Sequence, residues 1–152
     1  MAGVSFEVDA PELATALQRL GVLPYLVRDH ALELHERGAK VAEDAARRRI
    51  QHDKQSPDGE PWALWAAGRG QDVRPGQTLL SDSGDLLDNL TSHATRTSAT
   101  VGNNLVYARI HQFGGDTSQG HPAIPARPYL GLSDGDREEL TQALMDYLEQ
   151  VL

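Results

Sequence analysis

Thr91-Ser-His-Ala-Thr-Arg-Thr97 and Ala99-Thr-Val-Gly-Asn-Asn-Leu105, joined through Ser98, decide how this chain reads. Both runs are rich in β-branched residues, and the connection between them is short. The pattern predicts two strands of an antiparallel hairpin, the second ending near Asn103-Asn104. The segments on either side repeat their apolar residues at helical spacing instead. A hairpin flanked by helical patterns predicts an α+β fold, with long N-terminal helices and a C-terminal helix packed on a small antiparallel sheet with long loops.

Working towards the N-terminus, Leu86, Leu87 and Leu90 follow Ser81-Asp-Ser-Gly84, which predicts a capped short helix. Gly68 to Gln77 holds three glycines, a proline and two arginines without apolar periodicity, and reads as a mobile loop. Ser56-Pro-Asp-Gly-Glu60 is a turn sequence: Pro presets φ and Gly supplies a positive one. A long helix is predicted from Tyr25 to His52, with Leu26, Leu34, Val41 and Ala45 as its apolar stripe. Arg47-Arg48-Arg49 falls near its C-terminus, where cations suit the helix dipole. The run reads as a solvated helix end, with an anionic partner as the alternative. Leu13, Leu17 and Leu20 mark an earlier helix begun by Asp9-Ala-Pro-Glu12, with Gly21 after it. Phe6 to Val8 reads as a short edge strand.

Working towards the C-terminus, Tyr107 to Phe113 reads as a short helix with Tyr107, Ile110 and Phe113 on one side. Gly114 to Pro122 is a second polar loop. Pro125-Ala-Arg-Pro-Tyr-Leu130 is extended, because pre-proline residues avoid helical ψ. Ser133-Asp-Gly-Asp136 resembles a capping box with Asp in place of Glu. The last helix turns Leu140, Leu144, Leu148 and Val151 inward, and exposes Asp134, Asp136, Glu138, Glu139, Asp146 and Glu149.

The chain has 152 residues, no cysteine, eight aromatic residues and a formal charge of −8. That length suits one domain, residues 1–152. Without cysteine there is no disulfide framework, thiol nucleophile or Cys-based zinc site. No apolar run reaches a membrane span of roughly 18–20 residues. The acidic balance disfavours general binding to phosphate backbones.

Five segments bear a more specific pattern: Ser56 to Trp62, Leu79 to Leu86, Val101-Gly-Asn103, Tyr107 to Gly115, and Ile124 to Ser133. In this order and spacing the chain resembles the phage virion morphogenesis family, the tail-completion proteins of Mu-like and related tailed phages. It departs from the family's pattern at Asp85, where an arginine is usual, and at Ser83, where Ser keeps a capping hydroxyl in place of Thr. The resemblance implies a structural virion protein that completes the tail or joins tail to head as part of an oligomeric neck ring, and implies no chemical step. A sixfold ring fits the symmetry of a tail. The implied partners are further copies of the chain, neighbouring neck or connector proteins, and tail-tube or terminator proteins. DNA enters only as the transiting genome, and no membrane is involved. The implied location is the virion, at the head–tail junction or tail end, reached from the host cytoplasm during assembly. Head (capsid) morphogenesis and a DNA-contacting neck role are the alternatives.

The chemistry-bearing residues agree with a protein that is not an enzyme. His30 and His35, five apart, do not share a helix face, and no His-Glu-x-x-His pattern occurs, so no metal or cofactor is expected. The interface candidates are Trp62, Trp65, Tyr107, His111, Phe113, Arg127 and Tyr129. Arg127, held between Pro125 and Pro128, is poised for a bidentate carboxylate contact, either an ion pair within the chain or one between subunits. His111 reads as a satisfied packing residue beside Tyr107. Arg47, Arg48, Arg49 and Arg69 are the possible DNA contacts. The acidic last helix is a candidate lining for a ring that DNA traverses, since carboxylates repel phosphate.

Overall fold

The computed structural model describes residues 3–8, 28–64, 78–81, 83–115 and 124–151. Among them lie β1 (Val4–Val8), α1 (Ala31–Arg48), α2 (Asp85–Asp88), β2 (Leu90–Ala94), β3 (Ala99–Asn103), α3 (Ala108–Phe113) and α4 (Asp134–Val151). The fold is α+β, as the hairpin and its flanks predict. The helix expected after Pro11, the loop from Gly68 to Gln77, most of the loop from Gly114 to Pro122, Trp65 and Arg69 lie outside the described residues.

β2 and β3 form the expected hairpin, with Leu90 opposite Asn103 and Ala94 opposite Ala99. Its turn is held by Thr95, whose N–H donates to the Ser98 carbonyl at 2.8 Å. The Thr95 hydroxyl oxygen in turn accepts the Ser98 N–H at 3.0 Å. β1 adds to the other side of β3, also antiparallel, giving the order β1-β3-β2. Ala99, Val101 and Asn103 of β3 point into the core, while Thr100 and Gly102 sit on the outer face. Asn103 ends the strand by donating its side-chain amide to the Leu86 carbonyl at 2.6 Å. Its Oδ1 accepts the Leu105 N–H.

Gly102 is required by this sheet. A Cβ there would lie 2.7 Å from the Val4 carbonyl oxygen and 3.0 Å from the Ser5 Cβ. Gly102→Ala should therefore push β1 off β3 and lower stability by about 1–3 kcal/mol, the usual cost of overpacking. Urea unfolding with hydrogen exchange checks this. The amides of β1 should lose protection ahead of those of β2, and an unchanged midpoint would sink the prediction.

α1 lies across the core face of the sheet and alongside α4, burying Leu34, Ala39, Ala42, Ala45 and Ala46. Small residues here let the two long helices come close: a Cβ on Gly38 would stand 3.5 Å from Leu140. The α-helix ends at Arg48, and Arg49–Asp53 continue as one wider π-type turn closed by Lys54 at φ 52°. The expected helix from Tyr25 to His52 begins later, at Ala31 after a turn at His30, and its last turn is loosened and runs to Asp53; residues 25–27 lie outside the described residues. Lys54 reaches back to the Ile50 carbonyl and across to Thr78 and Leu79. The Ser56–Glu60 turn forms as expected, with Gly59 at φ +92°.

α4 opens with a capping box. The Asp136 N–H donates to the Ser133 hydroxyl oxygen at 3.0 Å, and the Ser133 N–H donates to Asp136 Oδ2 at 2.8 Å. Leu140, Leu144 and Leu148 face inward as expected. Two expectations fail: Val151 is 39% exposed, and Asp136 is fully buried instead of lying on the acidic face. The box turns the Asp136 carboxylate back towards the end of α1, where two arginines meet it. No described helix is long and apolar enough to cross a membrane.

Candidate functional site

Three segments of the sequence pattern, Ser56–Trp62, Tyr107–Gly115 and Ile124–Ser133, meet beyond the end of α1. The extended run Ile124–Ser133 is the hub. Trp62 Nε1 donates to the Pro128 carbonyl at 2.9 Å, tying the run to the Ser56–Trp62 turn. Arg127 Nε and Nη2 donate to the carbonyls of Ala63 and Leu64 at 2.8 and 3.0 Å. Gln112 of α3 accepts the Tyr129 and Leu130 N–H groups on one amide oxygen. Its amide nitrogen donates to the Leu130 carbonyl. The Arg127 N–H donates to the His111 carbonyl at 2.7 Å. Gly131 lies against Pro57, where an added Cβ would come within 2.9 Å of the ring. Non-helical backbone at this depth needs partners for its polar groups, and these side chains supply them.

The basic run closes the same junction from below. Arg49, 3% exposed, donates to the carbonyls of Tyr129 and Gly131 and to Asp136 Oδ2. Arg48 takes the other carboxylate oxygen at 2.7 Å and also reaches Asp53 and Glu139. Arg47 pairs with Glu43 and donates to the Leu87 and Leu90 carbonyls. Arg47, Arg48 and Arg49 are therefore not a solvated helix end. As candidate DNA contacts they are already engaged within the chain: Arg47 and Arg49 each on two carbonyls and a carboxylate, and Arg48, with its side chain 39% exposed, on the carboxylates of Asp136, Asp53 and Glu139. Burial pushes the Asp136 carboxyl up, but the Ser133 N–H, Arg49, the Ser133 side chain and Arg48 outweigh it. The net position is below the ordinary carboxylate range.

The interface candidates divide into two groups. Trp62 and Tyr129 are core residues, 4% and 0% exposed. The Tyr129 hydroxyl has no hydrogen-bond partner among the described residues, and burial pushes its pKa up. Arg127 is buried, but the ion pair expected within the chain is absent among the described residues. Its partners are carbonyls, because the carbonyl groups of Ala63 and Leu64 face it directly. His111, half-buried, stacks edge-on against Tyr107 at 5.8 Å. It is not the satisfied residue expected, since its Nδ1 is buried without a partner among the described residues. Burial, and after it the Arg127 charge, hold the imidazole below its ordinary range.

Tyr107 and Phe113 belong to the surface. α3 turns Ala108, His111 and Gln112 inward and leaves Phe113 60% and Tyr107 39% exposed. Two residues the sequence reading passed over join them, Val106 at 75% and Leu64 at 81% exposed. Arg109 lies over the Phe113 ring at 5.1 Å. Arg109 and Phe113 stand four apart on α3, and Val106 and Tyr107 lie just before its first turn. Tyr107 and Phe113, named from the sequence as interface candidates, are both exposed. An exposed aromatic and arginine cluster on a cross-braced base has the composition of a protein-interaction surface. Among the described residues no group of three or more His, Asp or Glu side chains is arranged to hold a metal ion.

An 81-residue alignment, 53% of this chain and 58% of the relative, is 40% identical to the Mu-like prophage FluMu G protein 2 of Haemophilus influenzae. The chain thus spans less than two thirds of that relative's length. A longer alignment of 144 residues is 29% identical to the putative capsid assembly protein G of Escherichia phage Mu, covering 90% of this chain and 88% of that one. No solved structure matches. The profile of the phage virion morphogenesis family matches residues 8–149, which takes in the braced junction and all five motif segments, and the chain belongs to that family of structural or assembly proteins of the phage particle.

Proposed function

We propose that this protein completes the phage tail or joins tail to head, as part of a homo-oligomeric neck ring through which the genome passes. The observation that supports it most is the outward face of α3. Val106, Tyr107 and Phe113 are exposed on a helix whose inner side is fixed to the Ile124–Ser133 run by Gln112 and His111. A rigid apolar surface suits permanent assembly, because little conformational entropy is lost when it docks. In this reading the partners are other copies, neck or connector proteins on one side, and tail-tube or terminator proteins on the other.

A second reading, head morphogenesis, is favoured by the name of the phage Mu relative, a capsid assembly protein. Particles from a phage lacking the protein separate the two. The tail reading expects DNA-filled heads and full-length tails that remain unjoined, with infectious particles lost. Absent or malformed heads beside normal tails would overturn it in favour of the second reading. The DNA-contacting alternative expects filter binding that falls steeply with salt. With Arg47, Arg48 and Arg49 engaged inside the chain, the expected result is weak binding with a shallow slope.

A further inference from the structure

We propose that the exposed stripe of α3 docks onto the acidic outer face of α4 in a second copy of the chain, so that copies join head to tail. The inference rests on the oligomeric-ring reading and names the surface that builds it. One patch is apolar and cationic: Val106, Phe113 and Tyr107 with Arg109 across the Phe113 ring. The other is acidic. Glu138, Gln142, Asp146 and Glu149 run along the side of α4 opposite its buried Leu140, Leu144 and Leu148.

Charge complementarity selects the occupant. Arg109 meets no carboxylate among the described residues, and it lies instead over the Phe113 ring. Glu138 and Glu149 meet no cation among the described residues. A shallow cleft of about 440 Å³ on that face, lined by Asp134, Arg137, Glu138, Thr141 and Gln142, can receive a projecting side chain. A guanidinium placed between carboxylates forms charge-assisted, directional bonds, and an aromatic side chain beside it excludes water. Because the two patches are different surfaces of one chain, the contact is heterologous. Repeated, it closes into a ring or runs on as a filament. The contact also puts the acids of α4 between copies, in place of the channel lining expected from the sequence.

The chain has no cysteine, so disulfide trapping tests the contact directly. The probes are full-length Val106→Cys and Gln142→Cys, with Arg96→Cys on the exposed hairpin turn as control. Mixing the first two under mild oxidant should give mixed dimers on the order of tenfold above either probe mixed with the control, since docked thiols meet at high effective concentration. Arg109→Glu in the Val106→Cys chain should bring the yield to the control level. Glu138→Lys with Glu149→Lys in the partner chain should restore it. Yields equal to the control, or a predominance of Val106→Cys self-dimers, overturn the proposal. The chain carrying both cysteines separates it from the ring reading. A ladder ending at one size supports both, and a ladder without an end keeps the contact but removes the ring. A closed ring found by native mass measurement without these crosslinks keeps the ring and removes the contact.

Discussion

Asp136→Ala should lower the stability of this protein by about 3–5 kcal/mol, the range for removing one member of a buried ion pair. The loss has two sources. The capping box disappears, which by itself costs about 1 kcal/mol. The larger part comes from Arg49, which stays 3% exposed with its counter-ion gone. For a chain of this length the melting temperature should fall by roughly 10 °C. Adding Arg49→Met to Asp136→Ala should recover part of the loss, because it removes the stranded cation. Thermal and urea unfolding of the three proteins measure it. A single-variant cost under about 1 kcal/mol would show that water reaches the junction and that the pair does not hold α1 to α4.

The same carboxylate gives a pH dependence with a definite sign. Its native pKa is depressed, so the folded protein binds this proton less readily than the unfolded chain does. Its contribution is complete above an unfolded carboxylate pKa of about 3.9 and is lost as the pH falls through the lower native value. The wild type should therefore destabilise on acidification below about pH 4 more steeply than Asp136→Asn. Equal slopes for the two proteins would remove Asp136 as the cause.

Asp136 also marks how far the sequence can be read. The capping box was legible because its partners, Ser133 and Asp136, are three residues apart and follow helix-end geometry. The burial of Asp136 was not, because the arginines that make it tolerable lie 87 and 88 residues away in the chain. The hairpin and the Ser56–Glu60 turn were legible for the same reason as the box: β-branched runs and Pro-Asp-Gly act locally. Arg47-Arg48-Arg49 was misread because three consecutive cations look solvated wherever their acceptors cannot be seen. Half of those acceptors are backbone carbonyls, at Leu87, Leu90, Tyr129 and Gly131, and an unpaired carbonyl has no signature in composition. The helix at Tyr107–Phe113 was legible in place, with Tyr107 and Phe113 as contact candidates, but the side that meets the core was not. Its orientation is set by Gln112 and by the His111 carbonyl, both serving the distant Ile124–Ser133 run.

Trp62→Ala should cost about 3–5 kcal/mol, the range for deleting a large buried aromatic side chain, whereas Phe113→Ser should stay within about 0.5 kcal/mol of wild type, as surface changes do. Both residues came from the sequence as interface candidates, and the structure separates them by burial, 4% against 60% exposed. Trp62→Phe isolates the polar part. It keeps most of the apolar area and loses only the bond from Nε1 to Pro128, worth about 0.5–1.5 kcal/mol. The two kinds of loss should differ in where they are felt. Pro128 and Arg127 lie on the run that fixes α3 through Gln112 and His111, so Trp62→Ala should loosen α3 as well as the core. Native-state hydrogen exchange should show the amides of α3 losing protection in Trp62→Ala and keeping it in Phe113→Ser. Assembly should fail in both, through a displaced surface in the first and a missing contact in the second. A Trp62→Ala protein whose α3 stays fully protected would mean that the run holds α3 without its bond to Trp62, and that the interaction surface is independent of the core beneath it.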